Sequence, residues 1–176
     1  MTAAVVIVGG GNAGALHYRA YRQMARAGVL PLDGVVLVDP HGEPAPELAG
    51  LVREAGVQLD TFETRAALMT SPRQPDLATA IVDLCAPASV LVNALRDYYA
   101  SGFRRFLVEK PFLVTAEDEA DVRHILSTSQ VVLVRNYLFS GVHHVVRTML
   151  QTYDLQPLVC ITNFSKDLRA DSARGR

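Results

Sequence analysis

The sequence predicts an α/β fold in which helices cover both faces of a doubly wound parallel sheet. Apolar runs of strand length alternate with helical patterns along most of the 176 residues, and 49% of the residues are apolar. Runs rich in valine, leucine and isoleucine are typical of parallel strands that are buried on both faces. The runs lie at residues 5–8, 35–38, 57–59, 78–84, 106–108 and 131–134, of which the third is the weakest.

The helices are predicted between these strands, where apolar residues recur at helical spacing. Gly28 and Gly102 stand where C-terminal caps are expected, and Thr115 with Asp118 three residues later has the form of an N-terminal cap. The helical patterns occupy residues 12–27, 46–55, 63–70, 88–100 and 115–127.

The first strand leads into a glycine-rich turn with the sequence Gly9-Gly10-Gly11-Asn12-Ala13-Gly14. Gly9 allows a sharp turn, Gly11 lets the backbone approach a pyrophosphate, and Gly14 lets the next helix pack closely on the sheet. The free N–H groups and the positive dipole end of that helix then face the phosphates. The sequence therefore predicts a Rossmann-type dinucleotide-binding turn, with a purely structural glycine turn as the alternative.

The second strand ends at Asp39, 25 residues after Gly14. An acidic residue at this point accepts hydrogen bonds from the ribose hydroxyls of the adenosine, and its charge disfavours a 2′-phosphate. The next residues include no arginine, so NAD is predicted over NADP; they are Pro40, His41, Gly42 and Glu43. Enzymes that use FAD open with a similar run, but they usually carry Glu at this strand end and have much longer chains.

The fifth strand ends in the tripeptide Glu109-Lys110-Pro111, which the FAD alternative does not explain. The carboxyl ends of parallel strands border the crevice in which open α/β sheets bind ligands. A positive nicotinamide ring and partial burial disfavour the charged form of a lysine there, so Lys110 is predicted to act as an acid or base on a substrate hydroxyl or carbonyl. An exposed lysine in a salt bridge is the alternative. Pro111 is expected to follow a cis peptide bond.

The pattern changes after the sixth strand. Residues 141–152 predict one more helix, and residues 158–164 predict a strand. Residues 165–176 contain too few apolar side chains to be buried and are expected to form a loop or a frayed end. The sequence therefore predicts a dinucleotide-binding domain at 1–135 and the start of an incomplete C-terminal substrate or oligomerisation domain at 136–176.

Composition and charge argue against several classes of function. The 17 Lys and Arg residues nearly balance the 18 Asp and Glu residues, and no basic stripe alternates with aromatic residues, so a nucleic-acid surface is not predicted. No apolar run approaches the roughly 18 residues of a membrane helix, and the N-terminus lacks the basic region of a signal peptide. Cys85 and Cys160 lie far apart in apolar stretches and are expected to be buried free thiols in a cytoplasmic protein.

The histidines do not predict a metal site. His143 and His144 are adjacent, so they point in different directions on a helix, and no carboxylate lies at ligand spacing from them. His17 is placed on the first helix, away from the glycine turn, and Asp83 falls inside a strand run. Both are expected to be structural residues.

With these motifs in place, the chain resembles the glucose-fructose oxidoreductase and inositol dehydrogenase family, often written Gfo/Idh/MocA. The likeness rests on the glycine turn, Asp39, Ala86-Pro87, Glu109-Lys110-Pro111, and Asn136-Tyr137 followed by a helix from Gly141. It implies reversible hydride transfer between a nicotinamide cofactor and a hydroxyl-bearing carbon of a sugar, cyclitol or similar small molecule. On this resemblance Lys110 is the active-site lysine. The expected cofactor-binding residues are Gly9, Gly11, Asn12, Ala13, Gly14, Asp39, Pro87 and Glu109.

The sequence departs from the family pattern in two places. Members commonly carry a histidine where this chain has Leu91. The family's Asp-x-x-x-His residues are expected beyond Arg176, and neither Asp167 nor Asp171 is followed by a histidine at that spacing. A non-catalytic NAD-binding or partner-binding module therefore remains the alternative to an oxidoreductase. Apolar residues after Gly141 predict that the chain self-associates or aggregates.

Overall fold

The computed structural model describes residues 3–41, 59–134 and 141–154. The strands among them are β1 (Ala3–Val8), β2 (Leu32–Val38), β3 (Leu59–Phe62), β4 (Ile81–Leu84), β5 (Arg105–Val108) and β6 (Gln130–Leu133). The helices are α1 (Asn12–Arg26), α2 (Arg65–Met69), α3 (Ala88–Ala100), α4 (Glu119–Thr128) and α5 (Gly141–Thr152). The chain divides into two compact units, Met1–Val134 and Arg135–Arg176.

The six strands form one parallel sheet in the order β3-β2-β1-β4-β5-β6. Val5 of β1 lies opposite Val35 of β2 on one side and Ile81 of β4 on the other. The chain reverses its direction of winding between β1 and β4, and ligands of open α/β sheets bind outside the carboxyl ends at such a switch point. The doubly wound α/β fold expected from the sequence is confirmed.

Alternating residues of the inner strands are buried on opposite faces of the sheet. Val6 and Val82 belong to a core that includes Leu91 and Leu95 of α3, all of them fully buried. Val5, Ile7 and Leu37 belong to a second core together with Tyr18 of α1. Burying a side chain of this size stabilises the fold by about 1.5–3 kcal/mol, so both faces of the sheet hold their helices in place.

Two element boundaries differ from the prediction where Asp76 and Thr115 form hydrogen-bonded turns. Strand β4 starts three residues later than expected, since Asp76 accepts hydrogen bonds from the N–H groups of Ala78 (3.0 Å, side chain) and Ala80 (2.9 Å, carbonyl). The prediction that a helix starts at Thr115 is wrong. Thr115 Oγ1 instead donates to Asp118 Oδ2 at 2.9 Å in a turn that precedes α4.

Some other predicted boundaries are confirmed, β2 begins at Leu32 instead of residue 35, β3 ends at Phe62 instead of residue 59, and further predictions lie outside the described residues. Helix α5 has the predicted bounds, and Gly28 and Gly102 follow the ends of α1 and α3. The predicted helix at 46–55, the strand at 158–164, the segment 165–176 and Cys160 lie outside the described residues. Among the residues that are described, no helix is both long enough and apolar enough to cross a membrane.

Candidate cofactor cleft and active site

The glycine turn after β1 is packed so tightly that two of its positions exclude any side chain. Gly9 has a φ of +102°, and a Cβ there would lie 3.0 Å from the backbone of Cys85 and Ala86. A Cβ on Gly14 would lie 2.1 Å from the carbonyl oxygen of Gly9. Gly11 is different, because a Cβ there would meet no protein atom within 4 Å. The turn is thus closed towards the protein and open at Gly11.

A cleft of about 850 Å³ opens beside this turn, at the carboxyl ends of β1, β2 and β4. Its volume is in the range of small-molecule sites, and the first turn of α1 borders it. Gly14 and Glu109 are the expected cofactor-binding residues that do not line it. The others do: Gly9, Gly11, Asn12, Ala13, Asp39 and Pro87.

The carboxylate of Asp39 is held at the rim of the cleft by two backbone groups. Its Oδ2 accepts a hydrogen bond from the N–H of Gly10 at 2.7 Å, and its Oδ1 accepts one from the N–H of His41 at 2.9 Å. An ionised carboxylate has about four acceptor positions, so each oxygen can accept a further hydrogen bond. Asp39 therefore shapes the glycine turn and still presents negative charge to the cleft.

The fold also brings Arg65 into this cleft, which the sequence analysis missed. Arg65 is the first residue of α2, and its guanidinium donates a hydrogen bond to the Ser101 hydroxyl. The residues directly after Asp39 include no arginine. However, β3 and α2 bring the chain back to the carboxyl ends of the strands, where Arg65 lines the cleft. A basic residue at the start of the helix after β3 is the signal that could have found it.

Glu109 and Lys110 follow β5, at the same edge of the sheet as the cleft. Glu109 is buried, and its N–H donates to the carbonyl of Leu84 at 3.0 Å. Its Oε2 accepts a hydrogen bond from the Lys110 N–H at 2.8 Å and lies 3.9 Å from Lys110 Nζ. The Lys110 side chain is 52% exposed, so it is less buried than expected. The expected cis peptide bond before Pro111 is confirmed.

Behind this motif lies a hydrogen-bonded group of side chains, here called the polar cluster: His17, Tyr21, Asp83, Cys85 and Glu109. His17 Nδ1 is 2.8 Å from Asp83 Oδ2, and His17 Nε2 is 3.2 Å from Glu109 Oε1. The Tyr21 hydroxyl donates to Asp83 Oδ2 at 2.8 Å. Asp83 is fully buried, so these two partners compensate its loss of water.

Two features of the sequence could have predicted this cluster. Asp83 is a charged residue in an otherwise apolar parallel strand, and such a residue requires a polar partner from a covering helix. His17 and Tyr21 stand four residues apart on α1 and so lie on one face of it. His17 also proves to contact Glu109 of the fifth-strand motif, instead of lying apart from the site residues.

Burial and charge set the protonation of the cluster. Burial alone lowers the pKa of His17, but the hydrogen bond and charge of Asp83, followed by those of Glu109, outweigh it and raise that pKa above its ordinary value of 6.5. Burial, then the charge of Asp83, raises the pKa of the Cys85 thiol and of the Tyr21 hydroxyl far above neutrality. These shifts favour the charged form of His17 and the protonated, neutral forms of Cys85 and Tyr21.

His17, Asp83 and Cys85 also bring three potential metal-ligand atoms to within 4.8 Å of one another. A cysteine binds a metal as the thiolate. The Cys85 thiol is protonated, and its Sγ donates to Asp83 Oδ1 at 3.4 Å. In this structure the same atoms satisfy one another through hydrogen bonds.

A comparison with protein-family models identifies the family of the chain. The model of the oxidoreductase family Gfo/Idh/MocA, described as an NAD-binding Rossmann fold, matches residues 3–137. The chain belongs to this family. The resemblance inferred from the glycine turn and the Glu-Lys-Pro tripeptide is thereby confirmed, and the nucleotide-binding Rossmann fold is shown. A comparison with curated proteins finds no match.

Solved structures of Gfo/Idh/MocA-like dehydrogenases share the fold. Scyllo-inositol dehydrogenase from Lactobacillus casei is 16% identical with a TM-score of 0.63, over 87% of this chain and 42% of that one. Myo-inositol 2-dehydrogenase from Lactobacillus plantarum is 14% identical with a TM-score of 0.66, over 90% and 44%. The WlbA dehydrogenase from Chromobacterium violaceum, solved with NADH and UDP-GlcNAcA, is 18% identical with a TM-score of 0.62, over 86% and 40%. The chain thus spans less than half the length of these enzymes.

Proposed function

We propose that this chain is the nucleotide-binding part of an NAD(P)-dependent oxidoreductase acting on a sugar, a cyclitol or a similar small molecule. The observation that carries the proposal is the cleft, which extends from Gly11 of the glycine turn to Asp39. Glu109 and Lys110 lie at the same carboxyl end of the sheet. The family membership and the likeness to inositol and sugar dehydrogenases support it.

The residues of the cleft fit a dinucleotide. Gly11 leaves the space that a pyrophosphate needs, and the N–H groups at the start of α1 supply hydrogen-bond donors without a cationic side chain. Asp39 keeps acceptor capacity for ribose hydroxyls. Gly9, Asn12, Ala13, Gly14 and Pro87 complete the proposed cofactor site, and Glu109 supports it from β5. The nicotinamide cofactor, when bound, supplies the hydride chemistry.

Lys110 is the proposed catalytic residue. Lys110 follows β5 at the carboxyl end of the sheet, and its ammonium can donate a hydrogen bond to a substrate oxygen and exchange a proton with it. Glu109 holds the backbone of Lys110 and balances its charge from the buried side. We propose NAD as the preferred cofactor, because the negative charge of Asp39 opposes a 2′-phosphate.

A titration of NADH with separation-of-function variants tests the nucleotide site. Gly11 has a φ of −70° and open space around it, so Gly11→Val fills the cleft without straining the fold. We expect NADH affinity to fall by about tenfold or more, which is about 1.4 kcal/mol or more, with at most a small fall in melting temperature, because Gly11 is the N-cap of α1 and valine is a poorer N-cap residue. Gly34→Val is the matched control, because Gly34 also has open space around it but lies outside the cleft. An unmodified chain that does not bind NADH saturably at millimolar concentration contradicts the proposal.

A second candidate is a nucleotide-binding module without turnover, which senses the cofactor or binds a partner. Leu91 is the observation that favours it, because this position commonly carries a histidine in the family and here holds a fully buried core residue. A dehydrogenase screen over sugars and cyclitols separates the candidates. Clear turnover by the chain rules out a module without turnover.

We further propose a cytoplasmic location and a homo-oligomeric state. Cys85 is a buried free thiol, which suits a reducing compartment. Helix α5 carries exposed apolar side chains that suit contact with another copy.

A further inference from the structure

The polar cluster is not explained by cofactor binding alone. It connects α1 to the ends of β4 and β5 and reaches the backbone of Lys110 through Glu109. A fully buried carboxylate such as Asp83 is costly unless its partners are well placed. Tyr21 and His17 satisfy Asp83, but only His17 continues to Glu109. His17 is therefore the link between the buried carboxylate and the proposed active-site motif.

The geometry around His17 favours a charged ring. Each ring nitrogen faces a carboxylate oxygen, so a ring that donates from both nitrogens satisfies both contacts. A ring that donates from both nitrogens is an imidazolium. The groups that face it are Asp83 and the Cys85 thiol from β4, and Glu109 after β5. The raised pKa of His17 agrees with this arrangement.

We propose that the charged ring of His17 is a positioning residue for Lys110, acting through the carboxylate of Glu109. Glu109 Oε1 faces His17, while Glu109 Oε2 accepts from the Lys110 N–H and faces the Lys110 ammonium. The carboxylate is thus held from both sides, and its position sets that of the lysine. The inference rests on the proposed function only in giving Lys110 a catalytic role.

Loss of one proton from His17 has a defined consequence. The neutral ring keeps a single N–H, and the shorter contact to the fully buried Asp83 retains it at Nδ1. The Nε2 lone pair then faces Glu109 Oε1, and two acceptors at 3.2 Å repel each other. Glu109 moves away from the ring and carries Lys110 with it. The placement of Lys110 therefore depends on pH through His17.

Nuclear magnetic resonance on the full chain tests this coupling without a substrate. Lys110 and Lys166 are the lysines of the sequence, so labelling lysine with ¹³C at Cε gives two resolvable positions, and Lys166→Arg assigns them. Ring ¹⁵N signals follow the protonation of His17 in parallel. We expect the Lys110 Cε signal to shift over the same pH range in which His17 loses its proton. A Lys110 signal that does not change in that range overturns the proposal.

Three variants separate positioning from a general structural role. Glu109→Gln leaves the contact between His17 and Asp83 in place but removes the charged bridge, and it should abolish the response of Lys110. His17→Gln should abolish it as well. Tyr21→Phe removes a different partner of Asp83 and should retain it. If His17→Gln does not fold, the comparison between the parent and Glu109→Gln tests the proposal. A Lys110 Cε signal that still responds to pH in Glu109→Gln overturns it.

NADH titration of the same samples keeps the two proposals distinct. A chain that fails to bind NADH contradicts the proposed function, but a Lys110 signal that follows His17 still supports the positioning role. Saturable NADH binding without any response of Lys110 leaves the proposed function intact and overturns the role of His17.

Discussion

At the scale of single residues, Asp39 has two roles, one in the glycine turn and one towards the cleft. Its oxygens hold the N–H groups of Gly10 and His41, and its charge faces the cleft. Arg65 lines the same cleft but is hydrogen-bonded to Ser101. The carboxylate is therefore the negative charge that the end of β2 presents to the cleft.

The first prediction concerns cofactor preference. The parent chain should bind NAD more tightly than NADP, and Asp39→Ser with His41→Arg should shift the ratio of the two affinities towards NADP by about tenfold or more, because a repulsive charge is replaced by an attractive one. Calorimetric titration with both nucleotides measures the ratio. Asp60→Ser is the control, since Asp60 pairs with Arg73 outside the cleft. Tighter binding of NADP by the parent would show that the role given to Asp39 is wrong.

The second prediction concerns His17 and pH. Because its pKa is raised in the folded state, its contribution to stability is fully present below the unfolded value of 6.5 and is lost as the pH rises through the folded value. The difference in the free energy of unfolding between the parent and His17→Gln should therefore shrink as the pH is raised above 6.5. Urea unfolding at a series of pH values measures it. Parallel profiles for the two proteins would contradict the charge assigned to His17.

At the scale of elements, helix α3 depends on its buried face. Leu95 is fully buried against the sheet, whereas Leu126 of α4 is 49% exposed. We predict that Leu95→Ala lowers the free energy of unfolding by about 2–5 kcal/mol, because it removes buried methyl groups and leaves a cavity. Leu126→Ala should change it by about 0.5 kcal/mol or less. Equal losses in the two variants, measured by urea unfolding, would contradict the packing described for α3.

The elements also show what could be predicted from local sequence. Apolar runs and glycine positions located the six strands and the glycine turn, since both patterns arise from burial and backbone geometry within a few residues. The start of β4 was misplaced because Asp76 competes for backbone N–H groups. The polar cluster was not foreseen, because it joins His17 to Asp83 and Glu109 across 66 and 92 positions of the chain. Local periodicity does not reveal contacts between residues that lie far apart in the sequence. The position of Arg65 was not predicted for the same reason.

At the scale of the whole molecule, the second compact unit contains a helix with exposed apolar side chains. In α5, Val145 is 55% exposed and Met149 is 51% exposed, and the two lie on one face at a spacing of four residues. Exposed apolar patches of this kind mark contact surfaces. We assign the contact of the proposed homo-oligomer to this surface.

The fourth prediction is that the chain associates with itself through this face. Size-exclusion chromatography with light scattering should give a mass above that of one chain, and Val145→Glu with Met149→Glu should lower it, because charges on the apolar face oppose its burial. Val29→Glu is the control, since Val29 is 71% exposed after α1. A monomer at high concentration, unchanged when residues 141–176 are removed, would contradict the prediction.

The hydrogen bond from Gly10 to Asp39 has a consequence for the thermodynamics of nucleotide recognition. It joins the turn expected to meet the phosphates to the residue expected to meet the ribose, so the two halves of the cleft are pre-organised relative to each other before a ligand arrives. Binding then costs less conformational entropy than it would for a mobile loop. Redesigning the cofactor preference at this position is consequently coupled to the rigidity of the turn, and the best new acceptor is one that keeps the Gly10 N–H satisfied.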